Sequence, residues 1–117
     1  VDPADAANTT TPRAFTATLR SLLLTAALTD DDRALLLDWA SGNATGDALV
    51  RAGAPAGWEV ADKSGGAGAI RNDVAVVTPP GRAPILLTIL TEKRDPAAAY
   101  DDALVARVAE TVLTALV

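Results

Sequence analysis

Apolar residues recur with a helical period in the first half of the chain and with a strand period after Pro55. Phe15, Leu19, Leu22 and Leu23 stand at i, i+4, i+7 and i+8, which is one face of a helix. Thr11 precedes them as a cap, with Pro12 at the first helical position. A second helix is predicted after Thr29: Asp30, Asp31 and Asp32 suit the positive end of its dipole, and Gly42-Asn43 closes it. Leu35, Leu36, Leu37 and Trp39 give that helix more apolar surface than a single stripe. Residues 1 to 8 read as a loop or frayed end, and Thr45 to Ala52 as a short helical turn before Pro55.

Strands are predicted over Trp58 to Ser64, Asp73 to Thr78 and Pro84 to Thr91, separated by a glycine-rich turn and by Pro79-Pro80-Gly81. Such spacing makes an antiparallel meander. The third run, Ile85-Leu86-Leu87-Thr88-Ile89-Leu90, is apolar on both faces and needs cover on each. A last helix is predicted from Pro96 to Val117 with Leu104, Val105, Val108, Val112, Leu113 and Leu116 inward, and it covers one face only. The class is α+β.

Composition narrows the function by exclusion. With 117 residues, half of them apolar, the chain has the size of one domain. A net charge of −5 with scattered basic residues argues against general nucleic-acid binding, which calls for a basic surface. No run of about 18 apolar residues offers a membrane span. Without cysteine or histidine there is no disulfide framework, no thiolate metal site, no Ser-His pair and no zincin motif. Val1-Asp2-Pro3 has neither the basic region nor the apolar core of a signal peptide.

The most informative stretch is Trp58-Glu59-Val60-Ala61-Asp62-Lys63-Ser64-Gly65-Gly66, followed by the apolar run Val74 to Val77. A lone Lys-Ser-Gly triplet is unspecific, but here it ends an alternating strand and precedes a glycine hairpin. In this setting it resembles the Lys-Thr/Ser-Gly strand of the class A serine β-lactamases. Thr9-Thr10-Thr11-Pro12, Leu37-Asp38-Trp39 and Arg51-Ala52-Gly53-Ala54-Pro55-Ala56-Gly57-Trp58 resemble further segments of that family in the same order. The family's Ser-x-x-Lys, Ser-Asp-Asn and Ω-loop glutamate have no counterpart: no lysine lies three residues after Ser21, Ser41 or Ser64.

The resemblance therefore implies the C-terminal part of a β-lactamase or penicillin-binding-protein-like fold. Residues 1–57 would be the end of the Ω loop and helices of an all-helical region, which contact the missing half. Residues 58–117 would be strands and the closing helix of the α/β region. It implies an N-terminal portion of the same protein as partner, a β-lactam substrate, a secreted or periplasmic location, and no metal or cofactor.

By the same resemblance, Lys63 lies beside the nucleophile, where a fixed positive charge favours the anions of acyl transfer. The plainer alternative is a solvated lysine on an edge strand. Ser64 would bind the substrate's carboxylate; otherwise it is a turn serine. Gly65, Gly66 and Ala67 let a ligand approach the main chain, and the Gly66 N–H is the candidate oxyanion-hole donor, with a flexible hairpin as the alternative. The stretch fails as a P-loop because it lacks the Lys-Ser/Thr ending and opens no helix. Asp62 reads as structural.

Three departures separate this sequence from the family pattern. The hairpin from Gly65 to Asp73 is about one residue short. Leu49 stands where some relatives carry an arginine for the substrate carboxylate, a role Arg71 is placed to take over unless it is a surface arginine. Asn8 replaces an aspartate that pairs across the Ω-loop neck. These departures leave three readings open: a β-lactamase; a related domain acylated without turnover; and an esterase or D-alanyl-D-alanine peptidase.

Overall fold

Thr11 Oγ1 accepts the Ala14 N–H at 3.1 Å and starts α1 (Pro12–Leu24), and Thr29 Oγ1 accepts the Asp32 N–H at 3.1 Å and starts α2 (Asp30–Ser41). Both caps satisfy amides that a helix N-terminus otherwise leaves orphaned. The Gly42 N–H closes α2 on the Asp38 carbonyl. This structure, a computed structural model, describes residues 5–7 and 9–116. Asn8 lies outside the described residues. The single turn expected before Pro55 is α3 (Val50–Gly53).

Strands β1 (Glu59–Ala67), β2 (Ile70–Thr78) and β3 (Ile85–Glu92) form the expected antiparallel meander, in the order β1-β2-β3. β1 and β2 are longer than their apolar runs because the glycine stretch is itself strand. Ala67 pairs with Ile70 across a two-residue turn, in which Gly68 takes a φ of 56° that an L side chain resists. The short hairpin read from the sequence is this tight turn.

Helix α4 (Asp102–Ala115) begins at Asp102 rather than Pro96. Asp101 is its cap, its carboxylate accepting the Leu104 N–H at 2.9 Å. Residues 93 to 101 instead run along the hairpin, held by Lys93 N–H to Ala69 O and Tyr100 N–H to Gly68 O, both at 3.0 Å. The buried stripe of α4 is Val105, Ala109 and Leu113 at i, i+4 and i+8, so Val112 and Leu116, expected inward, are exposed.

The two faces of the sheet are covered differently. On one, Leu49, Val50, Val105, Ala109 and Leu113 close over Ala75, Val77 and Ile89 to make the core. On the other, α1 crosses β3, with Thr16 Oγ1 2.9 Å from Thr88 Oγ1, and α2 lies along β1. The helices that the resemblance set apart thus rest on the sheet, and β3 gains the second cover its two apolar faces need. The fit is incomplete: between α1, α2 and the sheet lies a cavity of about 230 Å³ lined by Phe15, Leu19, Leu36, Lys63 and Val74 among others.

Helices α3 and α4 meet at Gly53, where a Cβ would lie 2.1 Å from the Ala106 carbonyl oxygen and 2.8 Å from the Glu110 nitrogen. Backbone cannot yield as a side-chain end does. Gly53→Ala should therefore destabilise the protein by about 1–3 kcal/mol, the range of overpacking in a filled core. Urea unfolding checks this, and an unchanged midpoint would contradict the close packing of α3 on α4.

Candidate active site

The residues singled out in the sequence gather at the hairpin end of β1, a strand that among the described residues pairs with β2 only. Alternation along β1 sends Lys63 and Ser64 to opposite faces. Lys63 is exposed on the face of the α1–α2 cavity, and its Nζ donates to the Ser64 carbonyl at 2.6 Å. Ser64 is turned the other way and is 8% exposed, its Oγ 2.8 Å from Thr45 Oγ1. A ligand along the unpaired edge of β1 is within reach of both faces at once. Gly65, Gly66 and Ala67 follow on the same edge, exposed.

Arg71 shares the Ser64 face. It pairs with Gly66 across the ladder, and a Cβ at Gly66 would lie 3.0 Å from Arg71 Nη1, so the missing side chain leaves the guanidinium its place. Arg71 Nε donates to Asp102 at 2.6 Å, and the guanidinium carbon lies 4.7 Å from the centre of the Tyr100 ring. The structure thus brings Ser64, Gly66 and Arg71 together, with Lys63 across the strand. Leu49, which the sequence reading set at the place of an arginine in some relatives, is fully buried in the core.

Behind β1 runs a strap of residues 43 to 53 that sequence reasoning left without a role. Asn43 Nδ2 donates to the Asp62 carbonyl at 2.9 Å and to its carboxylate at 3.1 Å. Arg51 Nη2 reaches the same carboxylate at 2.6 Å. The Val50 N–H donates to Asp73 Oδ2 at 3.1 Å. Asp73 is fully buried opposite Ser64 in the register, and its Oδ1 has no partner among the described residues. Burial pushes its carboxyl up to about 7; the Val50 amide opposes this, the charge of Asp62 adds to it, and the Val74 amide and Arg71 oppose it further. Asp101 moves the other way, lowered first by the Leu104 amide it caps and then by Lys93.

Thr45, Asp102 and Tyr100 are the site neighbours that the sequence reading missed. Each acts across 19 to 31 positions of chain, as in Thr45 to Ser64 or Arg71 to Asp102. Local patterning carries no signal at that range. The N-cap pattern at Asp101-Asp102 ahead of Leu104 was available and would have moved the helix start to the right place.

Comparison with known proteins shows what the chain is similar to. A family model described as "Beta-lactamase enzyme family" matches residues 2–116. The chain is 53% identical over 112 residues to a β-lactamase of Bacillus amyloliquefaciens, covering 95% of this chain and 37% of that protein. It is 50% identical over 115 residues to a β-lactamase of Bacillus subtilis (strain 168), covering 97% and 38% respectively. A crystal structure of a class A β-lactamase from Clostridium kluyveri DSM 555 superposes with a TM-score of 0.93 at 41% identity, covering 99% of this chain and 45% of that one. The chain thus spans less than two fifths of the length of these curated relatives.

The buried Asp73 gives a test that needs no catalysis. Its folded value, about 7, lies above the ordinary carboxylate value. Between the two, the unfolded chain ionises while the folded chain stays protonated, so stability present at low pH is lost as pH rises toward 7. Asp73→Asn keeps an acceptor for the Val50 amide and removes the ionisation. Relative to wild type, this variant should gain roughly 3–4 kcal/mol between about pH 4 and pH 8, by linkage. Urea unfolding across that range checks it; parallel pH curves for the two proteins would show that Asp73 does not titrate between its folded and unfolded values.

Proposed function

The chain belongs to the β-lactamase enzyme family, and on that premise we propose that it forms the C-terminal part of a class A serine β-lactamase, secreted or periplasmic, which hydrolyses β-lactams through an acyl-serine intermediate. Residues 1–57 then belong to the helical portion and residues 58–117 to the α/β portion. The nucleophile, its lysine base and the deacylating glutamate come from the N-terminal portion of the same protein.

The observation that supports this reading best is the convergence on one free strand edge of Lys63 from one face and of Ser64 and Arg71 from the other. Lys63 opens onto the side where α1 and α2 leave a cavity. The same two helices leave large apolar side chains in solvent: Leu24 at 54%, Leu35 at 45% and Trp39 at 66% exposed. Exposed apolar surface of that kind marks a face built to be covered.

The roles follow from chemistry. Lys63 supplies a fixed positive charge for the oxyanion and for proton movement at the nucleophile. The Gly66 N–H donates to the developing oxyanion, with the nucleophile's own N–H as the second donor. Gly65 and Ala67 keep the strand edge open to the ligand. Ser64 donates to the substrate's carboxylate, and Arg71 adds the directional, charge-assisted pairing that guanidinium gives such groups.

The chain on its own should not hydrolyse a chromogenic cephalosporin, since it has no Ser-x-x-Lys and no histidine to activate another serine. The complete protein should, and in it Lys63→Ala should slow acylation by about 10²-fold or more, the usual weight of one positioned acid–base or electrostatic group. Rapid-quench kinetics resolves that step. Turnover by residues 1–117 alone, or unchanged acylation in Lys63→Ala, would sink the proposal.

Arg71→Ala in the complete protein should raise KM for a penicillin about 10- to 100-fold, the equivalent of a hydrogen bond to a charged group. The penicillin methyl ester, without the charge, should lose much less. Equal losses on both substrates would remove Arg71 from the carboxylate site.

A further inference from the structure

We propose that Tyr100 is a positioning residue for Arg71, its ring being the platform that holds the guanidinium with both Nη groups turned to the substrate's carboxylate. This rests on the reading of Arg71 as the carboxylate anchor. A guanidinium on three flexible methylenes needs two constraints to present a defined edge: one along its length and one on its plane. Asp102 gives the first by taking Nε at 2.6 Å. Tyr100 gives the second, since the guanidinium carbon stands 4.7 Å from the ring centre, inside the range in which a cation is drawn to an aromatic face. Gly66 leaves room beside the side chain, where a Cβ would come within 3.1 Å of Arg71 Cδ.

With Nε taken and the plane fixed, the Nη donors remain. Among the described residues neither makes a hydrogen bond, although the side chain is only 13% exposed. Two parallel N–H donors left unused at a site edge are the fork that a carboxylate accepts in bidentate fashion.

The ring is itself held by the main chain. The Tyr100 N–H donates to Gly68 O and the Lys93 N–H to Ala69 O, both at 3.0 Å, so the segment carrying Tyr100 is laced to the β1–β2 turn that carries the site. The Tyr100 hydroxyl makes no hydrogen bond among the described residues, and the residue is 43% exposed. What the ring contributes at this place is therefore its π face rather than its hydroxyl or its burial.

The test is steady-state kinetics of the complete protein with a penicillin and its methyl ester. Tyr100→Phe keeps the π face and should match wild type. Tyr100→Leu keeps bulk without that face, and both it and Tyr100→Ala should raise KM for the acid roughly 2- to 10-fold, the scale of one partly exposed cation–π contact. The change in kcat should be small and the ester should respond little. In the Arg71→Ala background, Tyr100→Ala should add nothing further.

Two results would overturn the inference while leaving Arg71 as anchor: Tyr100→Leu behaving like wild type, or Tyr100→Ala costing the same with and without Arg71. If Arg71→Ala itself fails to distinguish acid from ester, the anchor reading falls and the inference falls with it.

Discussion

The ion pair between Arg51 and Asp62 holds the rest of the site in place. Asp62 is the residue before Lys63, and its side chain is completely buried, with Arg51 Nη2 at 2.6 Å. A buried carboxylate left without its partner costs about 3–5 kcal/mol, so this pair is far more consequential than a surface one. Arg51 extends the tie outward to Asp47 at 3.1 Å and to the Ser41 carbonyl at 3.3 Å, and Asn43 adds two bonds to Asp62. One charge thereby fastens the end of α2, the strap and α3 to a single point on β1.

That fastening matters because β1 is an edge strand. One side of its backbone is bonded to β2, and the other pairs with no strand among the described residues. A free edge is ordinarily a liability, open to twisting and to stray pairing. Here the strap stiffens it from behind at two places, Asp62 through Arg51 and Ser64 through Thr45, and ties the neighbouring strand at Asp73 through Val50. The contacts alternate with Lys63 and Gly65, which stay exposed. Rigidity and access are thus divided by the two-residue period of the strand.

This division explains what was legible in the sequence. Elements written in local pattern were readable: the capped starts of α1 and α2, the meander, and the Lys63-Ser64-Gly65 strand end. The start of α4 was misplaced because Pro96 and the alanines after it look like a helix opening. The Ala97 and Ala98 amides instead turn back on Asp95, the flanking Lys93 and Tyr100 amides bond to the hairpin, and the Asp101 carboxylate fixes the true start. The placement of Arg71 depended on the length of the hairpin, and the φ of Gly68 closed that turn in two residues. What stayed hidden were pairings set by tertiary approach. The side chains of Tyr100 and Asp102 reach Arg71 only because residues 93 to 101 fold back on the turn.

Charge accounting then separates the tasks of the two cations on the sheet. Arg71 is already balanced by Asp102, so an arriving anion gains little net charge from it and chiefly gains directed N–H donors. Lys63 has no carboxylate partner among the described residues, and its ammonium rests on the Ser64 carbonyl. Its charge is uncompensated in a chain whose net charge is −5. At distances beyond the Debye length of about 8–10 Å, salt screens that overall excess of negative charge. Close to β1, where screening is weak, an anion meets the unpaired ammonium on one face and the guanidinium fork on the other. The first favours negative charge wherever it develops nearby, and the second favours one orientation of a planar carboxylate. An edge strand that shows alternate residues to opposite sides is the arrangement that lets both act on a single bound molecule.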